Sequence, residues 1–269
     1  ASATTAPPAT TSAVPTTQLG APLALGSSGD EVVALQRQLR RLGFDPGPGD
    51  GEFGRSTEQA VWAAEALILG RTPVEKTGTV DVALWQRLHE EVTIQPRRTM
   101  PGTHVEIYLD LQVAVVFTDD VAVLVTHISS GQLNPDGMPV TFCEEITIDT
   151  DELGNPMPEP EVRGVCSESK TPGGVFEVHR RYEGERIGPL GSMSNPIYFN
   201  YGIAIHGAQN VPVLPASHGG VRVPMHVAEY LPTLIELGDT VLVWDSHKEP
   251  EEQTKEDMLP SFLSPDTTE

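Results

Sequence analysis

The sequence predicts a multidomain α+β protein in which a small three-helix bundle is followed by a mostly β domain. Apolar residues recur with helical spacing in three runs between residues 23 and 92. From residue 103 onward the apolar runs become short and rich in Val and Ile, as in "HVEIYLDLQVAVVF", which is typical of strands. The decapeptide "TIQPRRTMPG", residues 93–102, lies between the two patterns and has the composition of an interdomain linker.

Capping signals and apolar spacing predict each of the three helices. The first run, "VVALQRQLRRL", follows a capping box that pairs Ser28 with Glu31, and Gly43 ends it. The second run, "AVWAAEALIL", follows the same kind of pair at Ser56 and Gln59. The third run, "VDVALWQRLHEEV", repeats its apolar residues on one helical stripe. Together these runs predict one compact helical module.

Residues 103–247 predict a domain built mainly of strands. Two β-rich runs in "HVEIYLDLQVAVVFTDDVAVLVTHISSG" meet at Asp119 and Asp120, which predicts a hairpin. Further strands are predicted in "GGVFEVHRRY", "YGIAIHG" and "DTVLVWD", and one helix is predicted in "PMHVAEYLPTLI".

A long acidic and Pro-rich segment interrupts these strands between Gln132 and Ser169. We expect a loop without regular structure there, and a loop of this length favours a lid beside a functional cleft. An inert surface insertion is the alternative. Cys143 and Cys166 lie inside the segment and either form a disulfide or remain as two free thiols. Neither belongs to a CxxC pattern, so zinc or redox chemistry is not expected of them.

The two ends of the chain differ from both domains in composition. Residues 1–22 are rich in Ala, Thr and Pro, which predicts a disordered tether. Such an opening is typical of a mature exported protein after its signal peptide has been removed, so we expect an extracytoplasmic location. Residues 248–269 are acidic and are predicted to form a disordered tail.

Charge and hydropathy limit the classes of partner that the chain is expected to bind. The chain has 38 acidic and 17 basic residues, a net charge of −21, and a chain this acidic is repelled by nucleic acid and by anionic membranes. No apolar run approaches the ~18 residues that a membrane-spanning helix needs. His206, His218, His226 and Glu229 lie close in sequence but lack a zinc spacing such as HExxH. We therefore expect no metal ion and no cofactor.

Three segments of the second domain carry a family resemblance. They are "TPGGVFEV" (171–178), "GSMSNPIYFNYGIAIHG" (191–207) and "PASHGGVRVP" (215–224). In this order they resemble the L,D-transpeptidase family of bacterial cell-wall enzymes, whose hallmark is His-Gly followed by Ser-His-Gly-Cys, an apolar residue and Arg or Asn. The resemblance implies a β-sandwich-like domain with an active loop beside a cleft. The first domain resembles the peptidoglycan-binding three-helix module, so peptidoglycan is the implied partner.

The resemblance implies a role for each motif residue. In the family a cysteine thiolate attacks the carbonyl of a peptidoglycan stem peptide, and a second stem resolves the thioester. His206 would be the general base, His218 would help to order the loop, and Ser217 would be a further residue of the catalytic motif. Backbone N–H groups at Gly219 and Gly220 would form the oxyanion hole, and Arg222 would brace the loop or meet a carboxylate. The remaining expected substrate contacts are Tyr198, Asn200 and Gly207.

One departure falls on the nucleophile. Gly220 stands where the family has its cysteine, so covalent acyl transfer by the family route cannot proceed. Neither Ser217 nor the two cysteines of the acidic segment is expected to replace it. The sequence therefore favours a peptidoglycan-binding protein that is catalytically impaired. The alternative is an active L,D-transpeptidase, if the glycine replaces the cysteine of a parent form. The oligomeric state is not predicted.

Overall fold

The structure is a computed structural model that describes residues 18–90, 92–150, 156–188 and 190–263. The helices are α1 (Asp30–Arg41), α2 (Arg55–Leu69), α3 (Val82–His89) and the single turn α4 (Met225–Ala228). The strands are β1 (Thr103–Tyr108), β2 (Val113–Thr118), β3 (Val121–His127), β4 (Thr141–Thr150), β5 (Pro156–Glu168), β6 (Gly174–Glu177), β7 (Arg180–Arg181), β8 (Glu185–Gly188), β9 (Gly191–Asn200), β10 (Ile203–Ala208), β11 (Val221–Pro224), β12 (Thr240–Trp244) and β13 (Phe262–Leu263). This order confirms the predicted α+β architecture.

The three-helix module forms where predicted, but two of its helix starts differ. α1 follows Gly29 and α2 follows Gly54, and neither residue provides a side-chain cap. The predicted capping boxes were wrong at these two starts, because glycine occupies the cap position itself. α3 does have a side-chain cap, since the Asp81 carboxylate accepts a 2.8 Å hydrogen bond from the Leu84 N–H.

Two sheets face each other in the second domain. In the first sheet the strand order is β3-β2-β1-β12-β6, and in the second it is β11-β10-β9-β7, with β8 also paired to β9. The predicted hairpin joins β2 to β3, and Asp119 and Asp120 adopt φ values of 47° and 64° in its tight turn. Apolar side chains from both sheets fill the space between them: Val105, Ile107, Val116, Ile197, Ile205 and Val221.

The helical module packs on the outer face of the first sheet. β2 is buried on both faces, because alternate residues point to opposite sides of a strand. Val113, Val115 and Phe117 join the core of the helical module, whereas Ala114 and Val116 join the core between the sheets. Polar contacts reinforce this packing.

The segment expected to be a structureless loop is largely a β-hairpin. β4 and β5 pair antiparallel from Thr141 to Thr150, and a disulfide joins Cys143 to Cys166 directly across the pair. The expectation failed because the segment satisfies its backbone groups by pairing with itself, which an acidic and Pro-rich composition does not reveal. The predicted helix after β11 was also too long, since only one α-helical turn and a short 3₁₀ turn form there.

The chain beyond residue 248 is packed as far as residue 263, against the expectation of a disordered tail. The Glu249 carboxylate pairs with Arg97 and Arg98 of the linker at 3.0 Å and 2.8 Å, and Met258 packs beside Gly174. β13 adds to the edge of β5. At the other end, residues 1–17 lie outside the described residues, whereas Leu19 packs on the helical core. Over the described ranges, no helix is long and apolar enough to span a membrane.

Candidate functional site

The "SHGG" loop joins β10 to β11 and is held by its own side chains. The Ser217 hydroxyl donates to the Gly220 carbonyl at 2.5 Å and accepts from the Gly219 N–H at 3.0 Å. The Thr171 hydroxyl donates to the Gly219 carbonyl at 2.7 Å, which ties the loop to the "TPGG" segment. Ser217 is therefore bonded inside the loop, and the Gly219 N–H, a predicted oxyanion donor, is already paired.

The backbone conformation requires glycine at position 219 but not at position 220. Gly219 has φ +119°, and a Cβ atom there would lie 2.8 Å from the Lys170 carbonyl oxygen. Gly220 is outside the left-handed region, and a Cβ atom there would lie 3.0 Å from His206 Nε2. A side chain at position 220 would thus begin beside the imidazole, which needs to shift by only a few tenths of an ångström.

His206 is placed by β10 with its ring in the cleft. Its Nδ1 lies 3.1 Å from the Gly207 carbonyl, which fits an Nδ1–H tautomer and leaves Nε2 as the proton acceptor facing position 220. Burial is the main cause that lowers the pKa of His206, and the charge of Arg222 acts in the same direction, whereas the Gly207 carbonyl opposes both. His206 is therefore neutral near pH 7, as a general base must be.

Arg222 lies beside His206, because the two residues are directly paired in the parallel β10–β11 ladder. Its backbone also pairs with Ser129, which anchors the start of β11 to the segment after β3. Burial lowers the pKa of the Arg222 guanidinium, which nevertheless remains charged. The structure therefore brings Arg222 to the cleft, as the motif predicted.

His218 contacts the β4–β5 hairpin. Its ring lies 4.5 Å from the Phe142 ring, centre to centre, and its Nε2 lies 3.5 Å from a carboxylate oxygen of Glu144. The hairpin is thus attached to the loop through His218, which fits the predicted ordering role. Sequence reasoning missed Phe142 and Glu144, since nothing in the acidic segment indicates which strand register faces the loop.

The loop lines a cleft of about 840 Å³, which lies within the size range of ligand sites. Its lining brings together the predicted residues of the loop and of β10: His206, Gly207, Ser217, His218, Gly220 and Arg222. Phe142, Ser167 and Glu168 contribute from the hairpin, and Pro260 contributes from the chain end. No cluster of metal-ligating side chains occurs in the part of the chain that the structure describes.

The three expected substrate contacts outside the loop fall in different environments. Tyr198 lines the cleft and is held by Arg186, whose Nη1 donates to the phenol oxygen at 2.8 Å. Gly207 also lines the cleft and allows close packing, because a Cβ atom there would lie 2.6 Å from Ala228 Cβ. Asn200 is not brought to the cleft; its side-chain amide donates to the Met258 carbonyl at 2.8 Å. It fixes the chain end instead.

Comparisons with known proteins agree with this architecture. Residues 102–243 match the family model of the L,D-transpeptidase catalytic domain, and residues 28–65 match that of a peptidoglycan binding domain. Together the two modules define a class, the peptidoglycan-associated proteins. Within that class, this chain belongs to the L,D-transpeptidase family.

Solved structures include similar proteins. The crystal structure of the L,D-transpeptidase (residues 123–326) from Xylanimonas cellulosilytica is 30% identical with a TM-score of 0.65, and the match covers 82% of this chain and 97% of that one. An L,D-transpeptidase from Stackebrandtia nassauensis is 19% identical with a TM-score of 0.41, covering 86% and 97%. The catalytic domain of the Enterococcus faecium enzyme is 22% identical with a TM-score of 0.35, covering 55% and 100%. No curated protein matches the chain.

Proposed function

We propose that this protein binds peptidoglycan stem peptides in the cleft without forming a covalent acyl-enzyme. One observation carries the proposal: position 220 points its missing side chain at His206 Nε2, and the residue there is glycine. The base is neutral and buried and its neighbours are in place, but no atom stands where the attacking sulfur would be. In a protease triad, removal of the nucleophile costs on the order of 10⁶-fold in turnover.

Neither the two cysteines nor Ser217 is placed to attack in its stead. The sequence contains two cysteines, and both are used in the Cys143–Cys166 disulfide, so the oxidised protein has no thiol. The Ser217 hydroxyl donates its proton to the Gly220 carbonyl and not to an imidazole, so no base activates it. These contacts support binding over group transfer.

The hairpin supports a role in ligand selection. β4–β5 contributes Phe142 to the cleft wall and contacts His218, so the segment borders the space a stem peptide would occupy. We infer that it acts as a lid whose position the disulfide restrains. The disulfide and the two matching domains also support a location outside the cytoplasm, in the cell wall, since disulfides persist in oxidising compartments.

A second candidate function is active transpeptidation by a cysteine form of the same protein. The geometry at position 220 favours it, because the backbone there accepts a side chain beside Nε2. In such a form the thiol would pass its proton to His206, the sulfur would bond to the stem carbonyl carbon, and the D-amino acid would leave with that proton. The glycine form lacks the first step.

Sedimentation with cell-wall sacculi tests the binding proposal. The full chain is mixed with purified sacculi and, separately, with insoluble chitin, a glycan that carries no stem peptides. We expect the protein to pellet with intact sacculi and to pellet several-fold less with peptide-free glycan. Equal pelleting would show that the cleft does not determine binding. Absence from both pellets would contradict the proposed function.

A further inference from the structure

The lining of the cleft carries an excess of positive charge although the whole chain is strongly acidic. The cleft is lined by four basic side chains, Lys170, Arg180, Arg186 and Arg222, and by two carboxylates, Glu168 and Glu185. Over the whole chain the ratio is reversed, with 17 basic and 38 acidic residues. A cleft lined by basic side chains on an otherwise acidic protein attracts an anionic ligand selectively.

Two of these arginines are organised around one aromatic ring. Arg180 lies over the face of Tyr198 with its Cζ 3.9 Å from the ring centre. The Cζ of Arg186 lies 5.4 Å from the same centre, and this side chain also donates to the phenol oxygen. The two guanidinium carbons are therefore no farther apart than the sum of these distances. Tyr198 itself is only 2% exposed, so the platform is fixed.

Neither guanidinium has a carboxylate within ion-pair distance among the described residues. In this they differ from arginines such as Arg98, which pairs with Glu249 and Glu251. The nearby acid, Glu185, instead accepts a hydrogen bond from the Ser192 hydroxyl. Two like charges on one ring repel each other, and each fork retains N–H donors suited to a carboxylate.

The arginine pair lies close to the position where a ligand carbonyl would meet His206. Tyr198 on β9 pairs with Ala204 on β10, and Ala204 is two residues before His206. Residues two apart share one face of a strand, and neighbouring strands are about 5 Å apart. Tyr198, Ala204 and His206 all line the same cleft. One short peptide can therefore contact both places.

The geometry assigns Arg180, Tyr198 and Arg186 to a subsite for a carboxylate of the bound peptide. This inference rests on the proposed function, and it specifies in addition that the bound peptide carries a negative charge at this subsite. A stem peptide offers two sources of that chemistry: the free carboxylate of its glutamyl residue and its terminal carboxylate. The subsite predicts that amidation of the carboxylate that it holds weakens binding.

Matched peptides and matched variants test the assignment. Three synthetic stem tetrapeptides are titrated by calorimetry into the full chain: one with both carboxylates free, one with the glutamyl carboxylate amidated, and one with the terminal carboxylate amidated. We expect one amide to bind about tenfold more weakly than the free acid, as loss of a charge-assisted hydrogen bond implies. The amide that is weakened identifies the source.

The variants R180Q and R186Q should each abolish that preference. R37Q is the control, because Arg37 is exposed on α1 and lies outside the cleft. This substitution changes the net charge by the same amount as R180Q or R186Q. Thermal unfolding checks that each variant is folded. If R186Q does not fold, R180Q alone tests the subsite, because only Arg186 donates a hydrogen bond to the phenol oxygen. Retention of the preference in both variants, or equal binding of all three peptides, would overturn the subsite alone. Failure of every peptide to bind would overturn the proposed function with it.

Discussion

At the scale of the residue, two adjacent glycines serve different purposes. Gly219 is required by its backbone conformation and by the closeness of the Lys170 carbonyl. Gly220 faces His206 in a conformation that other residues can adopt. Gly220 is not needed for the shape of the loop, and it leaves the loop without a nucleophilic side chain. The site therefore keeps its geometry but lacks a nucleophile.

Alanine substitutions separate these two roles. We expect Gly219→Ala to lower the free energy of unfolding by about 1–3 kcal/mol, because the new Cβ meets a carbonyl at 2.8 Å and a positive φ becomes strained. Gly220→Ala should cost clearly less, since only the His206 ring has to move. Denaturant unfolding of both variants measures the difference. Equal losses would contradict the assignment of strain to position 219.

At the scale of the element, the "SHGG" loop, the hairpin and the chain end support each other. Phe142 of β4 contacts His218, and Ser167 of β5 donates to the Ser261 carbonyl. The Lys170 ammonium donates to the Asp257 carbonyl at 2.9 Å, and β13 pairs with β5. The last described residues thus hold the hairpin against the cleft.

Truncation of the chain end tests this support. A protein ending at Gln253 loses the contacts of Asp257, Ser261 and β13, so we expect faster amide exchange throughout β4 and β5, where local opening becomes easier. A protein ending at Leu263 keeps all of them and is the control. Hydrogen–deuterium exchange with mass spectrometry resolves the hairpin peptides. Unchanged protection in the shorter protein would show that the hairpin stands alone.

Replacement of both cysteines by serine distinguishes a lid from an inert insertion. In the chain-entropy account, a disulfide that closes a loop of this size stabilises the folded protein by about 3 kcal/mol. If the hairpin is a lid, its loosening should weaken stem-peptide binding several-fold as well as lower the unfolding temperature. Calorimetry and thermal unfolding report the two effects. Unchanged binding together with unchanged stability would favour the inert insertion.

The sequence predicted those elements whose signals are local. Helical spacing located α1, α2 and α3, and the Asp119–Asp120 turn located β2 and β3. The linear motifs located His206, Ser217 and Gly220, because strand pairing keeps motif neighbours together. Arg180 and Arg186 were missed, since only the pairing of β7 and β8 with β9 brings them to Tyr198. The packed chain end was missed because its acidic residues are stabilised by distant arginines.

At the scale of the whole molecule, the helical module and the β domain share a buried boundary. The Tyr230 hydroxyl donates to the Asp45 carboxylate at 2.6 Å, and the Lys76 ammonium donates to the Leu111 carbonyl at 2.6 Å. His127 is buried at this boundary with its ring 5.0 Å from the Trp62 ring. The peptidoglycan-binding module is therefore attached rigidly to the cleft domain.

The buried imidazole makes this boundary sensitive to acid. Burial, with the charges of Lys76 and Arg55, lowers the pKa of His127 to about 3. The unfolded chain takes up this proton below about pH 6.5, whereas the folded chain does not, so stability falls as pH drops from 6.5 toward 3. The slope from this one residue is about 1.4 kcal/mol per pH unit.

Unfolding free energies between pH 7 and pH 5 test that assignment. His127→Gln should have a shallower pH dependence, because glutamine keeps a donor for the Pro212 carbonyl and takes up no proton. His247→Gln is the control, since His247 is exposed. A slope unchanged by His127→Gln would contradict the burial of a neutral imidazole at the boundary.

The central claim is that the cleft is complete except for one side chain, and intact-protein mass after exposure to a carbapenem tests it most directly. Carbapenems acylate a reactive nucleophile, and the adduct adds the mass of the drug. The chain with Gly220 should show no adduct, and Gly220→Cys should acquire a single adduct that is lost again in Gly220→Cys combined with His206→Ala. Acylation of the glycine form would contradict the account.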